Sequence, residues 1–216
     1  MAEQYFTADP TCESKQVPCS FVYRGHGLNF MTDAGVFSKG ELDTGTRLLL
    51  DALPDVYGDV LDLGCGWGPI ALTLAFESPE ANVWAVDVNE RALDLTHANA
   101  QANGHTNIHT AQVDESSTPL PAENQPAFCE TVPSDLTFDV IWSNPPIRVG
   151  KEALHTLLMA WLPKLKVGGA AYLVVQKNLG SDSLIPWLDD ALGEGFTASK
   201  YASSKGFRII EVRHEI

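Results

Sequence analysis

The sequence "VLDLGCGWGPI", residues 60–70, joins an apolar run to three alternating glycines and a proline. The run VLDL is typical of a buried strand. The glycines Gly64, Gly66 and Gly68 permit backbone conformations that other residues resist, and they let the chain pass close to a ligand. Pro69 suits the first position of a helix, where the missing N–H costs nothing. The stretch therefore predicts a strand, a tight turn and a helix whose first N–H groups face a ligand.

Six further apolar runs predict strands, and helical patterns lie between most of them. Strands that alternate with helices favour an α/β fold with a mostly parallel sheet and helices on both faces. The last two runs are joined only by "SSKG", which is too short for a crossover helix, so the last of seven strands should be antiparallel. The six runs are VWAVD (83–87), IHTAQV (108–113), FDVIWS (138–143), AAYLVVQ (170–176), FTASKYA (196–202) and FRIIEV (207–212).

The length of 216 residues and the 44% hydrophobic content predict a single domain with a sizeable core. Residues 1–57 read as an N-terminal extension containing a hairpin, a polar loop and a helix, and residues 58–216 as the core. Residues 115–135 carry four prolines and few apolar side chains, which predicts an inserted surface loop without secondary structure.

Composition also indicates where the protein acts. No apolar run approaches the roughly 18 residues that span a bilayer, and "MAEQYFTADP" lacks the order of a signal peptide. We therefore expect a cytoplasmic protein without a membrane partner. The histidines show no ligand spacing with the four cysteines, and the cysteines form no C-x-x-C pair, so no metal site is predicted.

Charge is distributed unevenly along the chain. Residues 1–146 hold 5 Lys and Arg against 21 Asp and Glu, whereas residues 147–216 hold 9 against 7. An acidic surface repels nucleic acid at long range, so a polyanionic substrate would have to dock on the C-terminal portion. The simpler alternative is that the acidic charge only keeps the protein soluble.

The glycine turn, residues 64–68, differs from a dinucleotide-binding fingerprint. G-x-G-x-x-G would require a glycine where Pro69 stands, and the pattern is instead D-x-G-x-G-x-G, beginning at Asp62. Asp87 ends the next predicted strand, where its carboxylate can accept hydrogen bonds from both ribose hydroxyls of a nucleoside. A tight turn with an unrelated strand-end aspartate is the alternative.

These residues resemble the cofactor site of class I S-adenosylmethionine-dependent methyltransferases, a Rossmann-like fold with a reversed seventh strand. The resemblance implies S-adenosylmethionine as the cofactor. Asp114 is expected near the adenine, with a strand-end cap as the alternative, and Phe37 and Lys39 either close over the cofactor or only lead into a helix. The implied cofactor-binding residues are Phe37, Lys39, Asp62, Gly64, Cys65, Gly66, Gly68, Asp87, Val88, Asp114 and Asn144.

A second motif, "DVIWSNPPIRVG" (residues 139–150), ends a predicted core strand on Asn144. The Asn144 side-chain carbonyl and the Pro145 backbone carbonyl form two acceptors, which the rigid prolines Pro145 and Pro146 hold in place. Such a pair suits an NH₂ group, whose lone pair becomes available for methyl transfer when the nitrogen turns pyramidal. In adenine and glutamine enzymes of this type an aromatic residue usually follows the prolines, but here it is Ile147.

Three separated segments, "GVFSKGELDTGTRLLL", "NPPIRVGKEALH" and "KGFRIIEV", resemble the small-subunit ribosomal RNA guanine-N2 methyltransferase family of the C type, most closely its compact single-domain relatives. The resemblance implies catalysis by Asn144, Pro145, Pro146 and Ile147. It implies ribosomal RNA or the small ribosomal subunit as the substrate. The positive charges of Arg148 and Lys151 suit phosphate binding, with ordinary solvated surface charges as the alternative, and a monomer is expected. Methylation of a protein glutamine or another amino substrate, and a non-catalytic ribosome-assembly module, are the alternatives.

Overall fold

The computed structural model describes residues 7–8, 10–52 and 54–215, and the side chain of Arg148 also lies outside the described set. The opening segment MAEQYFTADP falls mostly outside these residues, so the expectation about it stays a prediction. The strands are β1 (Val17–Tyr23), β2 (His26–Thr32), β3 (Asp59–Leu63), β4 (Asn82–Asp87), β5 (Ile108–Gln112), β6 (Phe138–Ser143), β7 (Leu165–Gln176), β8 (Phe196–Ser204) and β9 (Phe207–His214). The helices are α1 (Thr44–Ala52), α2 (Pro69–Glu77), α3 (Glu90–Ala102), α4 (Lys151–Trp161) and α5 (Ser181–Leu192).

The seven predicted strands form one sheet in the order β5-β4-β3-β6-β7-β9-β8. Neighbours from β5 to β7 pair in parallel, whereas β9 pairs antiparallel with both β7 and β8. The predicted mostly parallel sheet with an antiparallel last strand is therefore confirmed. The chain runs outward from β3 to β5 and then returns to β6 on the other side of β3. Ligands bind at such a switch point, outside the carboxyl ends of the strands.

Alternate residues of the central strands contribute to two separate cores. Val60 of β3 packs with α2, α3, α1 and the β1–β2 hairpin on one face, whereas its neighbour Leu61 packs with α4 and α5 on the other. Both side chains are fully buried. A strand buried on both faces has no solvent-facing side, which explains why Val60, Leu61 and Leu63 are all apolar.

The β1–β2 hairpin contributes Phe21 and Phe30, stacked at 5.1 Å, to the first core. The segments on both sides of the hairpin are tied to α3, because the Arg91 guanidinium donates to the carbonyls of Cys12 before it and Ala34 after it. Asn89 Nδ2 also donates to the carbonyl of Gly35, at 2.8 Å. These bonds hold the segments beside the carboxyl end of β4, the edge at which a ligand would bind.

Two details differ from the sequence prediction. Helix α5 forms although Pro186 stands inside it and lacks the N–H that would bond to the carbonyl of Asp182, so the local sequence argues against a helix here. Leu184 and Leu188, one turn apart and both buried, hold α5 against the sheet. The inserted loop also contains a short 3₁₀ turn at Ala122–Asn124, where no secondary structure is predicted. Within the described chain, no helix is long and apolar enough to cross a bilayer.

Candidate active site

A cavity of about 510 Å³ opens at the carboxyl ends of β3, β4 and β6. A concave site at a switch point of a parallel sheet is the usual position for a ligand. Its walls come from the segment before α1, the glycine turn, the ends of β4 and β5, and the N-P-P segment. The side opposite β4 is completed by Gln176, Leu179 and Phe207.

The structure brings most of the predicted site residues together in this cavity, and among the described side chains it leaves four outside. Those lining the cavity are Phe37, Gly64, Cys65, Gly66, Asp87, Val88, Asp114, Asn144, Pro145, Pro146 and Ile147. Lys39, Asp62, Gly68 and Lys151 do not line it, and the side chain of Arg148 is not described.

The glycine turn presents bare backbone to the cavity. Its start is held by β4, because the N–H groups of Gly64 and Cys65 both donate to the carbonyl of Val86, at 2.9 and 3.0 Å. Gly64 and Gly66 have φ of 76° and 57°, and a Cβ on either would meet no other atom within 4 Å. Because both residues line the cavity, that open space belongs to it, and a ligand can lie directly against the chain.

Gly68 does not line the cavity and lies at the start of α2. It caps α2 with φ of 89°, and a Cβ there would collide with the side chains of Leu72 and Thr96. The glycine is required for the close packing of α2 against α3. Its predicted contact with the cofactor is not supported by this position.

Asp62 lies beneath the turn, not in the cavity wall. Its side chain is fully buried, and Oδ2 accepts a hydrogen bond from the N–H of Ala71 at 2.9 Å. Within the described residues Oδ1 has no partner. Burial, with a smaller contribution from the charge of Asp87, raises the pKa of Asp62 to about 8. The side chain therefore links β3 to α2 and makes no direct contact with the cavity.

Asp87 lies at the end of β4 with both carboxylate oxygens on backbone donors. Oδ2 accepts from the N–H of Gly66 at 2.9 Å, and Oδ1 accepts from the N–H of Asn89 at 3.0 Å. Burial raises its pKa to about 6, against the lowering effect of these bonds. Each oxygen keeps a lone pair for a hydroxyl donor. Asp87 thus fixes the glycine turn and offers two further acceptors to a ligand.

Asp114 is exposed at the cavity edge and is largely used by its own turn. Its Oδ1 accepts bonds from the hydroxyl and N–H of Ser116, at 2.6 and 2.9 Å, and from the N–H of Thr118. The bond from the Ser116 hydroxyl is the main cause that lowers the pKa of Asp114. This is the arrangement expected of a cap, and it leaves Oδ2 for a ligand.

Asn144 follows directly after β6 and lies in the cavity wall. Strand β6 is fixed to β3 at this point, because the Ser143 hydroxyl donates to the carbonyl of Leu63 at 2.6 Å. The Asn144 carboxamide Nδ2 donates to Asp43 Oδ2 and to Thr46 Oγ1, both at 2.9 Å. Its carbonyl Oδ1 accepts no bond from the residues that the structure describes.

The Pro145 carbonyl is held in an inverse γ-turn. Pro146 has φ of −75° and ψ of 71°, and the N–H of Ile147 donates to the Pro145 carbonyl at 2.8 Å. One of the two lone pairs on this oxygen is therefore occupied, and one remains for a ligand. The sequence predicts rigidity from the prolines alone, whereas the structure adds a hydrogen bond that fixes the carbonyl.

Several residues that line the cavity are not among those predicted from the sequence, and three of them bear on the chemistry. Asp43 and Thr46 begin α1, and the pattern Asp-x-x-Thr at a helix start predicts a cap but not a contact with Asn144. Phe207 begins β9 and supplies an aromatic face to the same cavity as Ile147. In the described part of the chain, no three His, Cys, Asp or Glu side chains are grouped to hold a metal ion.

Comparison with known proteins agrees with this geometry. Residues 27–211 match the family described as the methyltransferase small domain. The chain belongs to this family. This methyltransferase is 38% identical over 215 residues to YbxB of Bacillus subtilis (strain 168), described as uncharacterized, and the match covers 99% of each chain.

Other relatives carry a descriptive name. The chain is 32% identical over 198 residues to the ribosomal RNA small subunit methyltransferase C of Salmonella typhi, a match covering 88% of this chain and 52% of that protein. A 16S rRNA N2 methyltransferase from T. thermophilus, solved with AdoMet and guanosine, has the same fold, with a TM-score of 0.73 and 23% identity. That match covers 95% of this chain and 52% of the solved one. The chain spans about half the length of these two relatives.

The family assigns S-adenosylmethionine as the cofactor, and the cavity fits it. The bare backbone of Gly64 and Gly66 can lie against the ligand, and the two oxygens of Asp87 can accept from ribose hydroxyls. The cofactor, when bound, supplies an electrophilic methyl group. The rest of the chemistry depends on how the chain holds the acceptor.

Proposed function

We propose that the methyltransferase transfers a methyl group to the exocyclic N2 amine of a guanine in small-subunit ribosomal RNA. The observation that carries the proposal is the pair of oxygens, on Asn144 and Pro145, in the same cavity as the glycine turn. The names of the 32% identical relatives give ribosomal RNA as the substrate class.

The amine of a nucleobase is a poor nucleophile, because its lone pair is delocalised into the ring. Two fixed acceptors that bind both N–H hydrogens favour a pyramidal nitrogen and make the lone pair available. The methylated nitrogen carries one proton too many, and because this cation is strongly acidic the proton leaves to water, so the mechanism needs no strong general base in the site. Among the described residues that line the cavity, none is a histidine.

The walls of the cavity suit a flat acceptor. Ile147 supplies an aliphatic surface beside the oxygen pair, and Phe207 and Phe37 supply aromatic ones. The aromatic contact that usually follows the prolines in related enzymes can therefore come from another strand. A planar base held between such surfaces gains stacking energy of about 1–3 kcal/mol.

The acidic surface favours a second candidate, methylation of a protein glutamine or another amino substrate. A net charge of −14 opposes RNA at long range, and the oxygen pair would accept a carboxamide NH₂ equally well. A non-catalytic assembly module is less consistent with the intact N-P-P segment, residues 144–146.

We place the activity in the cytoplasm, where ribosomal RNA and ribosomal proteins are both available.

The test offers labelled S-adenosylmethionine together with ribosomal RNA, small-subunit particles or total protein. We expect label in RNA or in the particle RNA, and digestion should yield N2-methylguanosine. Label in protein alone would support the second candidate. No label in any acceptor would contradict both.

Arg148 and Lys151, near the start of α4, are proposed to bind phosphates. Replacing both with alanine should reduce the slope of log affinity against log salt by roughly one to two, because about two counterion-releasing contacts are lost. Filter binding at several salt concentrations measures this slope, and calorimetry should find cofactor affinity unchanged.

The matched control replaces Lys164 and Arg213 with alanine, which removes the same charge from the opposite edge of the sheet. This control should keep the wild-type slope. If the two double variants had equal slopes of log affinity against log salt, Arg148 and Lys151 would be ordinary surface charges without a role in phosphate binding.

A further inference from the structure

The carboxamide of Asn144 has only one favourable orientation. Two side chains contact the same end of the carboxamide, and one of them, the carboxylate of Asp43, can accept a hydrogen bond but has no proton to donate. The atom that faces Asp43 and Thr46 must therefore be the nitrogen of the NH₂ group, Nδ2. The other terminal atom is the carbonyl oxygen Oδ1, and no described residue donates to it.

We propose that Asp43 and Thr46 are positioning residues that hold the Asn144 carbonyl toward the acceptor and so make the site selective for an amino group. This inference rests on the proposed function of the cavity, and it assigns a role to two residues 101 and 98 positions away from Asn144 in sequence.

The start of α1 makes this anchor rigid. One oxygen of Asp43, Oδ2, accepts both from Asn144 Nδ2 and from the N–H of Thr46, at 3.0 Å, so the helix cap and the amide contact share an atom. Thr46 is buried, and Leu49 and Leu50 on the next turn are fully buried in the first core. The amide is therefore attached to a packed helix and not to a mobile loop.

The orientation decides which group the site can accept. With NH₂ held by Asp43, the cavity faces a carbonyl, which accepts from N–H donors of an amine or amide. A carboxamide turned by 180° would present NH₂ and would instead suit a carbonyl or ring nitrogen. The negative charge of Asp43 also polarises the amide, which makes Oδ1 a stronger acceptor.

The variants separate this role from helix capping. Asp43→Ser keeps a good cap residue, but its shorter side chain should no longer reach Asn144. Thr46→Val removes the hydroxyl acceptor at nearly constant volume. Asp43→Asn and Thr46→Ser are the conservative forms, since each keeps an acceptor toward the amide. Asp51→Ser, the same change at an exposed position of α1, is the matched control.

Kinetics are measured on the acceptor that the wild-type chain methylates. We expect Asp43→Ser and Thr46→Val each to lower kcat by about 10-fold with KM within threefold. The conservative forms should recover most of that loss, and Asp51→Ser should equal the wild type. In an Asn144→Ala background, Asp43→Ser and Thr46→Val should each lower kcat by less than a further twofold, because Asp43 and Thr46 act only through Asn144.

Two results would overturn the proposal. One is that Asp43→Ser and Thr46→Val lower kcat as much in the Asn144→Ala background as in the wild type, and the other is that Asp43→Ser keeps the wild-type kcat. A wild-type chain that methylates protein and not RNA would contradict the proposed function alone, and the same variants would then be compared on that acceptor.

A second readout is independent of catalysis. The side-chain amide signals of Asn144, assigned by their loss in Asn144→Ala, should exchange slowly with solvent in the wild type. In the combined Asp43→Ser and Thr46→Val variant they should exchange at least 10-fold faster, while circular dichroism stays unchanged. Equal exchange in both would overturn the positioning role whatever the substrate.

Discussion

Replacing Asn144 with alanine is expected to lower the single-turnover rate of methyl transfer by about 10²-fold or more. The reason is that the Asn144 oxygen binds the amine most strongly when the nitrogen is pyramidal, so its loss affects the transition state more than the bound substrate. Dissociation constants for RNA and cofactor should change less than threefold. Rapid-quench measurement with saturating enzyme gives the rate, and calorimetry and filter binding give the constants.

Two comparisons test this explanation. Asn144→Asp keeps an acceptor but puts a second carboxylate beside Asp43, and like charges at such distances repel or share a proton. We expect it to be impaired as well. Asn82→Ala, at an exposed position at the far end of β4, should keep the wild-type rate. If Asn144→Ala weakened binding in proportion to its lost activity, Asn144 would be a uniform binding contact and the mechanism would be wrong.

The sheet could be predicted because its signals are local. A strand buried on both faces is rich in apolar residues on each face, and the four residues "SSKG" permit only a hairpin between β8 and β9. Helix α5 could not be predicted in the same way. Pro186 argues locally against a helix, and only the packing of Leu184 and Leu188 on the sheet outweighs it.

The candidate site shows the same limit. A motif predicts that Asp62, Gly66 and Gly68 act together, but their depth depends on how the turn folds. Gly66 faces the cavity, whereas Asp62 is covered by the turn and Gly68 is enclosed by α2 and α3. The contact between Asp43 and Asn144 could not be predicted at all, because a helix-cap pattern gives no information on a partner 101 residues away.

Replacing Asp87 with alanine should raise the dissociation constant for S-adenosylmethionine by roughly 10- to 100-fold, equivalent to about 1.5–3 kcal/mol for hydrogen bonds to a charged group. The loss has two parts, because Asp87 offers acceptors to the ribose and also holds the N–H of Gly66. Calorimetry measures the constant. The dissociation constant of Asp87→Asn should fall between those of the wild type and Asp87→Ala. Asp114→Ala should raise the constant less than Asp87→Ala does, since the Asp114 Oδ1 already caps its own turn.

The pH dependence of cofactor binding distinguishes Asp87 from a residue that only supports the turn. In the free protein its pKa is raised to about 6, and hydroxyl donors would stabilise the ionised form and lower that pKa. Cofactor binding must then release a proton below pH 6, so affinity rises with pH. Between pH 5 and pH 7 the dissociation constant should fall roughly tenfold in the wild type, in proportion to the ionised fraction, and stay level in Asp87→Ala. The range stops at pH 7 because Asp62, with a pKa of about 8, begins to ionise above it. A wild-type constant independent of pH over this range would mean that Asp87 does not accept from the cofactor, and its place in the site would be limited to holding Gly66.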